Sequence, residues 1–173
     1  MIFISGTPCV GKSTVAKELS DKLNLPLVDV KEQAIENNLI LGIDQDKGYK
    51  IVDIEAFDEY LQTLNPDSIV ESHLSHLFSN PVHVIILRVH PDVLYERLKS
   101  RDYSESKIRE NLEAEALGVC SVEAYEHHGD LVSEIDCTDL SVCETVDIIC
   151  DIINEKQHFP VGEINFMEWI IQN

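Results

Sequence analysis

The sequence predicts an α/β domain of three layers, with a central five-stranded parallel sheet between two layers of helices. Three observations predict it. Short apolar runs alternate with helix-periodic segments along the chain. Hydrophobic residues make up 44% and aromatics only 6%, so the core material is mostly Ile, Leu and Val, as a sheet buried on both faces requires. The first run, residues 2–5, ends in a glycine turn that opens a helix. The 173 residues fit one compact domain.

The elements follow in order. A helix is predicted from Lys12 to Leu23, with Val15, Leu19 and Leu23 at helical spacing and Asn24 to Pro26 ending it. Leu27 to Val30 reads as the second strand. Residues 31–50 are polar, contain Gly42 and Gly48, and read as a short helix plus a mobile loop. Ile54 to Leu64 is an amphipathic helix stopped by Asn65-Pro66. Ser68 to Glu71 is a short strand. Val82 to Val89 is a β-branched run bounded by Pro81 and Pro91, the strongest strand signal in the chain. Asp92 to Lys99 is a helix. One long helix then runs to about His127, its apolar face marked by Ile108, Leu112, Val119 and Val122. Leu131 to Ile135 is the last strand and Val142 to Ile153 a long helix. Phe166 and Trp169 in the tail suit a short docking helix.

Residues 6–13 read Gly6-Thr7-Pro8-Cys9-Val10-Gly11-Lys12-Ser13, a full match to G-x-x-x-x-G-K-[ST] between a strand and a helix. The fold is therefore expected to be that of a P-loop NTPase. The two glycines allow backbone angles closed to other residues. Backbone N–H groups of Cys9, Val10, Gly11, Lys12, Ser13 and Thr14 then face inward as a nest for phosphate oxygens, at the positive end of a helix. Lys12 is expected to reach the β- and γ-phosphates of ATP, and the Ser13 hydroxyl to ligate Mg²⁺. Such a site needs a second carboxylate at a neighbouring strand end. Glu71 has that position, and a surface acid is the alternative. His73, two residues on, either orients a water or polarises a phosphate, or is a packed structural histidine.

Arginines are scarce, so Arg88, Arg97, Arg101 and Arg109 attract notice. Phosphoryl transfer spreads charge that arginines stabilise, and Arg101 is the one backed as catalytic. Solvated helix charges pairing with Glu96, Glu105 and Glu110 are the alternative reading for any one of the four. Residues 100–110 are polar and flanked by helices, as a hinged lid is. Residues 30–53 are placed to receive a second, phosphate-bearing substrate. No N-K-x-D guanine-reading motif occurs. A kinase acting on a nucleoside monophosphate needs no strict general base, because the acceptor phosphate is already anionic and the work is positioning and charge neutralisation.

Thirteen Lys and Arg stand against 32 Asp and Glu, a net charge of -19. No basic stripe is visible, so direct sequence-specific nucleic-acid binding is not expected. A basic protein partner, or simple solubility, accounts for the acidity. Five cysteines without a C-x-x-C pair argue against disulfides and zinc. No apolar run reaches the about 18 residues of a membrane helix, and no signal peptide precedes the first strand, so a cytoplasmic location is expected.

Three segments together resemble the adenylate kinase isoenzyme 6 family in its archaeal form. They are the loop from Gly6 to Ser13, the acid-x-His signature Glu71-Ser72-His73, and the stretch from Leu87-Arg88 through Tyr95-Glu96-Arg97-Leu98 to Arg101-Asp102-Tyr103-Ser104, continued by Asn111, Glu113 and Glu115. The resemblance covers nearly all of residues 1–157. It implies a broad nucleoside monophosphate kinase with ATPase activity, and a role in late maturation of the small ribosomal subunit with a basic ribosomal protein as partner. It places the lid arginine that contacts ATP at Arg101 and the loop bordering the adenine at Asp136-Cys137-Thr138. Cys9 stands in place of the family's usual loop glycine, Asp102 in place of the lid glycine, and Glu71 in place of the Asp of many relatives. Residues 158–173 find no counterpart in the resemblance.

Overall fold

The computed structural model of the chain describes residues 1–44, 50–101 and 103–172. The described strands are β1 (Ile2–Ser5), β2 (Leu27–Asp29), β3 (Ile40–Ile43), β4 (Lys50–Val52), β5 (Ile69–Glu71), β6 (His83–Arg88) and β7 (Val132–Asp136). The described helices are α1 (Lys12–Leu23), α2 (Val30–Glu36), α3 (Ile54–Leu61), α4 (Pro91–Lys99), α5 (Glu105–Ala116), α6 (Val119–His128), α7 (Val142–Ile153) and α8 (Met167–Gln172). Five strands form the expected parallel sheet, in the order β2-β5-β1-β6-β7.

Alternation along each strand splits the core in two. Ile2 and Ile4 of β1 point to one face, where they meet Val15 and Leu19 of α1, Leu94 of α4, Leu112 of α5 and Ile149 of α7. Phe3 points to the other face, among Phe57 of α3, Phe78 and Ala124 of α6. The sequence marks the helix starts with side-chain caps. Asp29, Asp53, Ser104 and Ser141 each accept a backbone N–H from the first turn of the helix they precede. At Ser141 the bond is reciprocated by Glu144, giving a full capping box.

Two expectations need correction. The single helix ending near His127 is two helices, α5 and α6, parted at Gly118 with φ +66°. The side chain of Arg88 lies so close there that a Cβ on residue 118 would sit 3.2 Å from its guanidinium, so the chain turns at a glycine. The region after α2 is more ordered than a loop: β3 and β4 pair antiparallel, with an irregularity between Ile40 and Gly42. Their Ile and Val residues favour the strand, which the two glycines of the segment had masked. Residues 45–49, Gly48 among them, lie outside the described residues, as does Asp102. Within the segment read as a lid, residues 100–110, α5 starts at Glu105, and residues 100–104 join it to α4.

The docking helix of the tail is present as α8, with Trp169 on it and Phe166 just before it. Trp169 Nε1 donates to Asp92 Oδ1 at 2.8 Å, and the Phe166 ring lies 5.3 Å from the Arg88 guanidinium carbon.

Candidate active site

The parallel register sets the carboxyl ends of β1 and β5 side by side, with Ile4 opposite Glu71. The glycine loop leaves β1 at this edge, where ligands of open α/β sheets bind. Gly6 has φ +137°, and a Cβ there would fall 2.4 Å from the Leu87 carbonyl oxygen, so the loop presses directly on β6. Gly11, at φ +111°, opens α1 without a side-chain cap, and no acidic residue occupies the first turn of that helix. The uncapped amides and the helix dipole thus suit an anion.

Lys12 lies beneath the loop, 8% exposed, and its Nζ donates to the Thr7 carbonyl oxygen at 2.9 Å. Burial lowers its pKa, with the Glu71 carboxylate opposing the shift. Ser13 Oγ donates to Glu71 Oε2 at 3.1 Å. Burial raises the pKa of Glu71, against the pull of the Lys12 charge and the Ser13 hydrogen bond. A hydroxyl and a carboxylate side by side are hard oxygen donors of the kind Mg²⁺ takes, while its remaining positions usually go to water and substrate phosphate. Among the described residues there is no cluster of three or more His, Cys, Asp or Glu able to hold a metal by itself, so a site completed by phosphate is the one these donors fit.

A family model described as an AAA domain matches residues 2–118. The chain is 46% identical over 171 residues to a protein of Methanothermobacter thermautotrophicus named "Putative adenylate kinase", with 99% of each chain covered. A protein of Archaeoglobus fulgidus with the same name is 42% identical, with 98% of this chain and 92% of that one covered. The chain belongs to this archaeal adenylate kinase family. It has the P-loop kinase fold and is a kinase-like, nucleotide-binding enzyme. Among solved structures it resembles shikimate kinase from Bacteroides thetaiotaomicron (TM-score 0.62, 17% identity, 88% of this chain and 97% of that one). It also resembles the YorR protein of Bacillus subtilis, solved in complex with phosphorylated GDP (TM-score 0.63, 17% identity, 91% and 98%). At such identities these two show the fold alone. The Methanothermobacter protein aligns across 99% of this chain, so the tail beyond residue 157 has a counterpart there.

Within this kinase the sequence-predicted residues divide. Lys12, Ser13 and Glu71 come together at the glycine loop. Arg101 is exposed two residues beyond the end of α4. It is Arg97, one turn earlier, that reaches the loop, donating from Nη1 to the Val10 carbonyl oxygen at 3.0 Å. Arg88 is taken up by a buried ion cluster. Its Nε donates to Glu115 Oε1 at 2.7 Å and its Nη1 to Glu134 Oε1 at 2.8 Å. Thr138 of the predicted adenine border accepts the His90 backbone N–H at 2.8 Å, fixing that turn to the end of β6.

Sequence reasoning missed His76. Its Nδ1 lies 2.7 Å from Ser5 Oγ and its Nε2 3.0 Å from Glu123 Oε2. The order Ser–His–acid looks nucleophilic, but Ser5 is fully buried, so the relay pins the end of β1 to α6 instead. A histidine three residues beyond an exposed one carried no signal of this in the sequence.

His73 stays exposed just past β5. The protein mass around it, then the Lys12 charge, push its pKa down from 6.5 to about 4. The unfolded chain therefore binds a proton at His73 in the window from 6.5 to about 4 that the native state does not, so this residue lowers stability as pH falls through that window and contributes no pH dependence above it. His73→Gln is expected to flatten the acid-side slope of unfolding free energy by less than one proton, measured by urea titration at several pH values. An unchanged slope would place the imidazole in ordinary solvent.

Cys9 has φ +69°, in the left-handed region a side chain disfavours. Tyr103, from the segment joining α4 and α5, interacts with its thiol. Cys9→Gly is expected to raise stability by about 1 kcal/mol, seen as a higher urea midpoint. A lower midpoint would mean that the Tyr103 contact outweighs the backbone strain.

Proposed function

We propose that the chain is a Mg²⁺-dependent nucleoside monophosphate kinase that transfers the γ-phosphoryl group of ATP to AMP or another nucleoside monophosphate, with ATPase activity, and that it acts in the cytoplasm. The observation that carries the reading is the meeting of Lys12, Ser13 and Glu71 at one strand edge, beside the uncapped start of α1. The names of the archaeal relatives support the choice of acceptor class.

The amides of Cys9 to Thr14 hold the phosphate chain, and Lys12 leaves the Thr7 carbonyl to neutralise the β- and γ-phosphates. Ser13 and Glu71 would hold Mg²⁺, which would supply charge neutralisation along the same phosphates. An acceptor phosphate oxygen forms the new P–O bond to the γ-phosphorus as the bond to the β–γ bridging oxygen breaks, leaving ADP. The acceptor is already anionic, so positioning and charge do the work. Residues 30–53, including α2 and the β3–β4 pair, receive the monophosphate. Residues 100–110 act as the lid, with Arg101 swinging over the phosphates, and the neutral His73 orients a water or polarises a phosphate.

The net charge of -19 favours a second reading, in which the protein is chiefly an ATPase assembly factor for a basic small-subunit ribosomal protein during ribosome maturation. A coupled assay with ATP and each monophosphate separates the two. Transfer to a monophosphate that persists in His73→Ala supports the kinase. Hydrolysis that rises with a basic ribosomal protein and falls in His73→Ala, with no transfer, supports the ATPase.

A further inference from the structure

Glu115 is 1% exposed, yet it lies on α5 in phase with the apolar residues Ile108 and Leu112. A carboxylate on that stripe needs partners, and it has three. One oxygen accepts Arg88 Nε at 2.7 Å and the Val89 backbone N–H at 3.1 Å. The other accepts the Thr7 hydroxyl in a short hydrogen bond. The Glu115 backbone carbonyl accepts Arg88 Nη2 at 2.6 Å.

Thr7 is itself a joint. Its side chain is held from behind by Glu115, and its carbonyl in front takes the Lys12 ammonium. The adjoining Gly6 is pressed against Leu87, and Val10 is held by Arg97. The first turn of the loop thus hangs on Thr7, and the hydroxyl–carboxylate contact fixes the direction in which its peptide groups face.

We propose that Glu115 is a positioning residue for the nucleotide: acting through Thr7, it pre-orders the phosphate loop and sets the site from which Lys12 moves to the phosphates. This rests on the reading of the loop as the ATP site. A loop freed at Thr7 must order about one residue on binding, which weakens affinity by roughly tenfold.

The test is the Kd of MgATP, together with the split between KM and kcat, in Thr7→Val, Thr7→Ser and Glu115→Gln. Thr7→Val keeps the shape and loses the hydroxyl, and is expected to raise the Kd and KM for ATP by roughly tenfold, with a smaller change in kcat. Thr7→Ser restores the hydroxyl and is expected to stay within about twofold of the parent. Glu115→Gln is expected to move Kd in the same direction as Thr7→Val. A merely structural contact would lower the melting temperature and leave the Kd of the folded protein alone. That result in either Thr7→Val or Glu115→Gln overturns the proposal, and if Thr7→Val does not fold, Glu115→Gln decides. Parent protein that binds no MgATP overturns the reading of the loop itself, a different failure from equal Kd values in parent and variants.

Discussion

Lys12→Ala is expected to lower kcat/KM for phosphoryl transfer by about 10²–10³-fold while the protein stays folded. Lys12 is buried at the base of the loop, with Glu71 near enough to oppose its pKa shift. Removing the ammonium leaves the loop amides in place but takes away the one charge on this loop able to follow the γ-phosphoryl group. A buried cation stabilises developing negative charge far better than one in water, because little solvent competes for it. The variant carries a second signature. The Lys12 charge holds down the pKa of Glu71, which burial otherwise raises. Without Lys12 that carboxylate keeps its proton to higher pH, so the acid limb of the residual activity shifts upward. Lys12→Arg is expected to fail similarly, since a planar fork does not fit a slot shaped to one ammonium under the Thr7 carbonyl. A coupled assay of Lys12→Ala showing a loss below about tenfold would remove the lysine from the mechanism.

The sheet was legible because its strands are apolar runs with little polar interruption, and the loop because its glycines and lysine carry a spacing that chemistry dictates. Glu71 could be placed for a related reason: a carboxylate directly after a buried run must sit at a strand end. What stayed hidden depended on contacts between distant segments. The division of α5 from α6 follows from the Arg88 side chain crowding Gly118, which no local propensity encodes. That Arg97 meets the Val10 carbonyl while Arg101 lies exposed beyond Lys99 depended on where α4 stops, which is set by its packing and not by local sequence alone. Glu115 did leave a trace, a charged residue on an apolar stripe that called for a buried cation. The β-run holding Arg88 contained that cation, but the pairing needed the fold to join them.

Arg88→Met follows from that pairing, and it is expected to cost about 3–5 kcal/mol of stability, a fall of roughly 10 °C in melting temperature for a chain of this size. Arg88 is 2% exposed and stands between two carboxylates as buried as itself, Glu115 and Glu134. Methionine fills much of the space but leaves two like charges buried and facing each other, which is where the cost arises. The damage also spreads to the tail. Glu134 accepts the Gly162 backbone N–H at 2.9 Å, its own N–H donates to the Phe159 carbonyl oxygen at 2.9 Å, and Phe166 covers the guanidinium. Limited proteolysis should therefore cut the variant first beyond residue 157. Adding Glu115→Gln and Glu134→Gln removes the buried charges and is expected to restore part of the stability, because replacing a whole buried ion cluster costs less than breaking it. Recovery stays partial, since Thr7 and Val89 still need an acceptor at position 115 and an amide offers a weaker one. A loss below about 1 kcal/mol in Arg88→Met would mean that solvent reaches the cluster and that it holds neither the tail nor the helices around it.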